Sequence, residues 1–329
     1  MGRFWALLAA ALCSLGLAAP LCAQETFPSR PIRIITAFAP GSATDIIARL
    51  AGEQLHRVLG QNVVVENKPG AFGIVAIEEM ARARPDGHTL MVGNISTSVL
   101  TPLLYRKKFT IDPDKDVAIV SRVAILPNLW VVTGKDFPPK TMAEFIDYAK
   151  ARPGQIRYAS NAIGSFPHYD SEILARRAGL KMEHIVYKGG PPEFLKEIVS
   201  GDIQAAFSNA ASSAAFIKSG QLRALATVTE QRLPEYPDVP TMAELGFPGV
   251  GTPLWSAIYA PGGTPDDVLQ KLNAAVMKAL SAPEFAESVK KQFVQPAPSG
   301  SLEETRAWLR GEVAKWTAIV DEVKLEIPE

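Results

Sequence analysis

Apolar, β-branched runs alternate with helix-patterned segments along nearly the whole chain, and this alternation restricts the fold more than any other feature. IRIITAF (32–38) has the content of a strand. The stretch 45–59 then carries apolar residues at helical spacing until Gly60 stops it. QNVVVEN, the helix-like GIVAIEEMARA, the turn RPDG and the strand-like HTLMVGN follow. Three strands alternating with two helices make a βαβαβ unit, whose crossovers require parallel strands.

A second set begins near Ala124 with ILPNLWVV. Thr141 caps the helix MAEFIDYAKA; QIRYAS and a helix to about Ala178 come next, then EHIVY, PPEFLKEIVSG, IQAAFSN, SSAAFIKSG and LRALATV. PLWSAIYAP reads as a strand that crosses back, and 264–323 as mainly helix. Two such units, with final helices that need a surface to cover, imply an α/β protein of two lobes joined by two crossings. Each lobe is expected to be a mainly parallel sheet flanked by helices, with a ligand cleft between them at the carboxyl ends of the strands. Residues 24–125 plus 253–329 are assigned to lobe one and 126–252 to lobe two.

The start of the chain is of another kind. Met-Gly-Arg followed by FWALLAAALCSLGLAAPLCAQ has one positive charge, an apolar stretch and a small-residue end. That is the layout of a secretory signal peptide, 1–23, with cleavage expected after Ala23. Leu21 argues against a lipid anchor on Cys22, and Pro20 interrupts the run before the ~20 residues a retained membrane anchor needs. Both cysteines, Cys13 and Cys22, lie in this segment. The mature chain then has none, which excludes disulfides, thiolate chemistry and cysteine metal sites. An exported protein without disulfides suits a bacterial periplasm and relies on core size, for which 329 residues at 47% apolar content suffice. Zero net charge argues against a nucleic-acid partner.

The polar chemistry concentrates at strand ends. In ITAFAPGSATDIIARL, Ser42 and Asp45 have capping-box spacing. The same spacing recurs at Thr141/Glu144, Thr241/Glu244, Thr264/Asp267, Ser281/Glu284 and Ser301/Glu304, so alone it marks helix starts and no function. Context separates the first box. It directly follows a buried-type strand on a short Pro40-Gly41 connection, which sets free N–H groups and the positive end of a helix at the sheet edge. A carboxylate suits such a place, with Asp45 holding the turn. YASNAIGSFPH repeats the device, with Ser165 as N-cap and Pro167 in the first turn. GNISTS adds Asn94, Ser96, Thr97 and Ser98, and FSN adds Ser208 and Asn209. The four loops together suit a neutral cage for a carboxylate ligand.

Catalytic patterns are weaker. The four histidines, His56, His88, His168 and His184, show no metal-ligand spacing. No G-x-S-x-G, G-x-G-x-x-G or P-loop sequence occurs. Ser165 with His168 leaves a hydrolase as the enzymatic alternative. The expectation is a binding protein with no catalytic residue, cofactor or metal. The basic RKKF (106–109) reads as a solvated loop.

LGQNVVVENKPGAFG, PDGHTLMVGN, PGQIRYAS, SGDIQAAFSN, LRALATVTEQRLPEYPDVPTMAELGFPG and YAPGGTP are specific in combination. In a match running from FPSRPIRIITAFAPGSATDIIAR to EVAKWTAIV, they resemble the tripartite tricarboxylate transporter substrate-binding proteins of the TctC type, also called Bug receptors. The resemblance implies a two-lobed, periplasmic-binding-protein-like receptor, monomeric, that closes over a small carboxylic acid and delivers it to integral-membrane permease subunits. By position it implies ligand contacts from Phe38, Ala39, Pro40, Gly41, Ser42, Thr44 and Asp45, from Asn94, Ser96 and Ser98, and from Ser160, Asn161, Ala162, Gly164, Ser165 and His168.

This chain departs from the family pattern at three places. The family's Pro-Gly-Gly is Pro40-Gly41-Ser42, and its Phe-Asp strand end is Phe207-Ser208. Losing that carboxylate removes a partner for a ligand ammonium or hydroxyl group, so the ligand is expected to be a plain mono-, di- or aromatic carboxylate and not an amino acid. VYKGG (186–190) also differs and is expected to reshape the distal pocket. A receptor that signals instead of transporting is an alternative the sequence does not separate.

Overall fold

The computed structural model describes residues 27–290 and 293–327. The expected signal peptide and both cysteines lie outside these residues. Among the described residues no helix is long and apolar enough to cross a membrane.

The chain runs β1 (Ile32–Thr36), α1 (Ala43–Leu59), β2 (Val63–Asn67), α2 (Ile74–Ala81), β3 (Thr89–Asn94) and β4 (Val117–Leu126). It continues through β5 (Asn128–Thr133), α3 (Met142–Lys150), β6 (Ile156–Ser160), α4 (Phe166–Ala178), β7 (Met182–Val186), α5 (Pro191–Ser200), β8 (Ala205–Asn209), α6 (Ala210–Lys218) and β9 (Leu222–Thr227). It ends with β10 (Leu254–Pro261), α7 (Asp266–Leu280), α8 (Pro283–Lys290), β11 (Gln295–Pro296) and α9 (Leu302–Val323). Two sheets result, ordered β11-β4-β10-β3-β1-β2 and β7-β6-β8-β5-β9.

Burial explains the local choices. Ile32, Ile34 and Ile35 of β1 are fully enclosed, as a strand covered on both faces requires. Helix α1 buries Ile47, Ala48, Ala51 and Leu55 as one stripe and ends at Gly60, whose φ of 70° is left-handed. Inside α1, a Cβ on Gly52 would sit 3.1 Å from Val63 Cγ1, so the missing side chain lets the helix lie close on β2.

The mainly parallel sheets expected above are corrected in part. Strands β1, β2 and β3 pair in parallel, and so do β6, β7 and β8. The crossing strands do not: β10 runs antiparallel to β3 and β4, and β5 antiparallel to β8 and β9. Both β10 and β5 are buried along their whole lengths, so no alternation in their sequence shows which way they pair.

Pro127 separates β4 from β5, where the chain passes from one sheet to the other. Asn128, just beyond it, donates its side-chain amide to Thr252 O at 2.6 Å, in the segment that returns. Asp170 of α4 accepts from Thr252 N (2.8 Å) and Thr252 Oγ1 (3.1 Å). The two crossings are thereby tied to each other and to α4. Helix α9 packs on β4 and also reaches α4, where Arg176 donates to the carbonyls of Glu322 and Val323.

Candidate functional site

The turn after β1 is built around Asp45. Ser42 Oγ accepts from Asp45 N (3.3 Å), capping α1. The Asp45 carboxylate accepts from Gly41 N (2.9 Å), Arg49 Nε (3.1 Å) and Asn67 Nδ2 (2.8 Å). Asn67 also donates to Phe38 O. Burial pushes the Asp45 carboxyl up, but Arg49, the Gly41 amide and Asn67 outweigh it and hold it below the usual carboxylate range. Asp45 is only 2% exposed, so its charge is consumed inside the turn. Ala39, Pro40 and Gly41 are exposed, and Phe38 and Ser42 half-buried.

GNISTS differs from the loop expected. β3 ends at Asn94, and Ser96–Leu100 is already helical. Asn94 makes this abrupt start possible: its Oδ1 accepts from Ser96 N and Thr97 N, and its Nδ2 donates to Thr44 Oγ1 at 3.0 Å. Thr44 and Asn94 thus fasten this helix to the first turn. A Cβ on Gly93 would stand 2.4 Å from Ser98 Oγ, so Ser98 is turned against the strand while Ser96 reaches outward.

In the other lobe, Ser165 occupies the N-cap position of α4, but its hydroxyl makes no cap bond. It donates instead to Ala162 O at 2.8 Å. Of the first-turn amides, His168 N still donates to the Ser165 carbonyl (3.0 Å) and Pro167 has none, so Phe166 N is left without a partner in its own loop. It donates across the interface between the sheets to Ser96 Oγ at 3.4 Å. Tyr105 reaches the same loop, with its hydroxyl 3.4 Å from Ile163 O. The structure thus brings the strand–helix junctions of β3 and β6 against each other.

Beneath this loop lies a stack that the sequence did not reveal. His168 and His184 are 3.7 Å apart between ring centroids at 17°, and Tyr158 flanks both, 5.0 Å from His184 and 6.2 Å from His168. His168 Nδ1 accepts from Gly164 N (3.1 Å), which leaves Nε2 to carry the proton of the neutral ring. His184 Nε2 is 2.7 Å from Ser160 Oγ. Burial pushes His168 down to about 3, with His184 adding to it, and burial pushes His184 to about 4. The only sequence signal for His184 is its place on a strand beside β6.

Ser165 and His168 do not form the nucleophile–base pair of a hydrolase, because each bonds elsewhere in the loop. Ser160, the serine that does meet a histidine, is wholly buried. Asn161 and Ala162 are half-buried. Ser208 and Asn209 are buried and engaged internally: Ser208 Oγ accepts from Ser213 Oγ, and Asn209 caps α6. Among the described residues no cluster suits a metal ion. A cavity of about 350 Å³ lined by Lys135, Tyr148 and Arg152 lies near Ile156, at the opposite end of β6 from Ser160.

Residues 47–325 match the tripartite tricarboxylate transporter family receptors. The chain belongs to this family. Protein BugT of Bordetella pertussis is 34% identical over 322 residues, covering 98% of each chain. Two solved structures are similar throughout. A protein of R. palustris with adipate has a TM-score of 0.83 at 29% identity, covering 91% of this chain and 99% of that one. MatC of Rhodopseudomonas palustris with bound malate has a TM-score of 0.79 at 29% identity, covering 89% and 100%. These receptors share the two-lobed architecture of periplasmic binding proteins. The turn at Pro40–Ser42 lies upstream of the matched segment, and the junctions at Asn94 and Ser160 lie within it.

Proposed function

We propose that this receptor is exported to the periplasm, captures one small organic carboxylate between its lobes, and delivers it to the membrane permease of a tripartite tricarboxylate-type system. One observation carries the reading: the N-terminus of α4, whose Phe166 amide the cap serine's hydroxyl does not engage, meets the polar junction after β3 on the other lobe. Helix N-termini offer amide donors and a positive dipole end, which suit a carboxylate without any cationic side chain. An acid held from both lobes stabilises the closed arrangement because it makes both sets of contacts only there. The adipate and malate in the related structures support the ligand class. The lack of a carboxylate at Ser208 supports an acid without an ammonium group. The receptor works by binding, not turnover.

Ser42→Asp tests this reading, because aspartate caps a helix about as well as serine and the fold is retained. Its added charge at the mouth of the turn is expected to weaken binding about tenfold or more, since two carboxylates a few ångströms apart repel by roughly 1–4 kcal/mol. Calorimetry with the acid that most raises the melting temperature in a carboxylate screen measures it. Unchanged affinity would remove the first turn from the site.

A further inference from the structure

The loop after β2 carries an unusual backbone. Gly70, Ala71, Phe72 and Gly73 all have positive φ, at 141°, 43°, 57° and 93°. Two of the four are not glycine, and left-handed backbone at such residues persists only where surroundings impose it, commonly at ligand sites. The loop stands beside the candidate site. A Cβ placed on Gly73 would lie 3.4 Å from Ala37 Cβ, at the end of β1, and 2.7 Å from Thr97 Cγ2, after β3. Phe72 O accepts from Thr101 Oγ1 at 2.8 Å, which fixes the loop to the helix after β3.

Phe72 itself is 46% exposed, so core burial does not account for it. Its ring stacks on Tyr105 with centroids 4.6 Å apart and planes at 8°. Tyr105 in turn meets Ile163 of the opposite lobe. One face of the Phe72 ring is therefore backed by a second ring, while much of the side chain stays open beside the junctions that would hold a carboxylate.

We propose that Phe72, backed by Tyr105, is a specificity-determining residue that stacks against the ring of an aryl carboxylate whose carboxylate group is held at the helix N-termini. The proposal rests on the carboxylate-receptor reading above and adds the chemistry of the ligand's body. A flat ring extends the existing parallel stack, whereas a hydroxylated acid gains nothing from an apolar face. Such a contact is worth about tenfold in affinity.

Phenylacetate and malate, titrated by calorimetry into the receptor and into its Phe72→Gly variant, separate the possibilities. Glycine takes a φ of 57° without strain, so the loop keeps its course. Phenylacetate is expected to bind the parent receptor and to lose about tenfold in the variant, with malate binding changed less than about twofold. If the receptor binds malate but not phenylacetate, or if Phe72→Gly leaves phenylacetate binding unchanged or weakens both acids alike, the proposal is overturned while the carboxylate reading stands. If the receptor binds no acid of a broad carboxylate panel, both fall.

Discussion

Asp45→Ala is expected to lower the free energy of unfolding by about 3 kcal/mol and to weaken acid binding at least tenfold, about 1.4 kcal/mol. The carboxylate is almost wholly buried and joins the Gly41 amide, Arg49 and Asn67. Asn67 in turn holds Phe38 O, so the loss spreads from the start of α1 to the end of β2. Gly41 then has no anchor for the left-handed bend, φ 80°, that aims the turn. Urea denaturation and calorimetry measure the two effects. The box at Ser301 and Glu304 provides the contrast: it is complete but exposed, and Ser301→Ala should cost about 1 kcal/mol and leave binding unchanged. Equal effects at the two sites would mean that Asp45 only starts a helix.

The second large effect is a loss of stability in acid. In the folded protein His168 and His184 are held to about 3 and about 4, against 6.5 for a free imidazole. Between those values and 6.5 the unfolded chain binds protons that the folded one refuses. Their contribution is thus fully present above pH 6.5 and is lost as pH falls toward 4 and then 3, by about 3 kcal/mol for the buried His168 and less for the part-exposed His184. Asp170 acts in the opposite sense. Burial pushes it up to about 7, with Thr252 and Lys315 opposing, so its folded form keeps a proton that the unfolded chain releases. Its contribution is present below about pH 4 and lost as pH rises to 7. The two trends offset each other in the parent protein, and a comparison at each pH isolates the histidines. His184→Phe keeps a ring in the stack and removes one titrating group. Unfolding free energies from urea denaturation at pH 7, 6, 5 and 4.5 are expected to fall less steeply in the variant, by about 2 kcal/mol over the range. Parallel curves would show that the pair does not titrate as the stack requires.

The strand-and-helix alternation and the polar strand ends were legible in the sequence because they arise from neighbours along the chain. The helix starts at Ser42, Thr141 and Ser301 are capped as the spacing predicts. The same spacing misleads elsewhere. Thr241 and Glu244 make their bonds around a turn and not a helix. The hydroxyls of Thr264 and Ser281 go back to Pro261 O and Met277 O, the carbonyls that already accept the same residues' backbone N–H. Strand direction at β5 and β10 was hidden because uniformly buried strands read alike in both directions. The His168–His184 stack, the Asp170–Thr252 tie and the Phe72–Tyr105 pair join residues distant in sequence, and each looks locally like an ordinary strand, helix or loop residue.

The central claim is that one carboxylate is shared by helix N-termini from both lobes. A crystal structure of the receptor with its tightest-binding acid tests it most directly. The account predicts carboxylate oxygens within about 3.2 Å of backbone amides, or one ordered water away, at both 43–44 and 166. An acid that contacts only one lobe, or one lodged in the cavity beside Lys135 and Arg152, would contradict it.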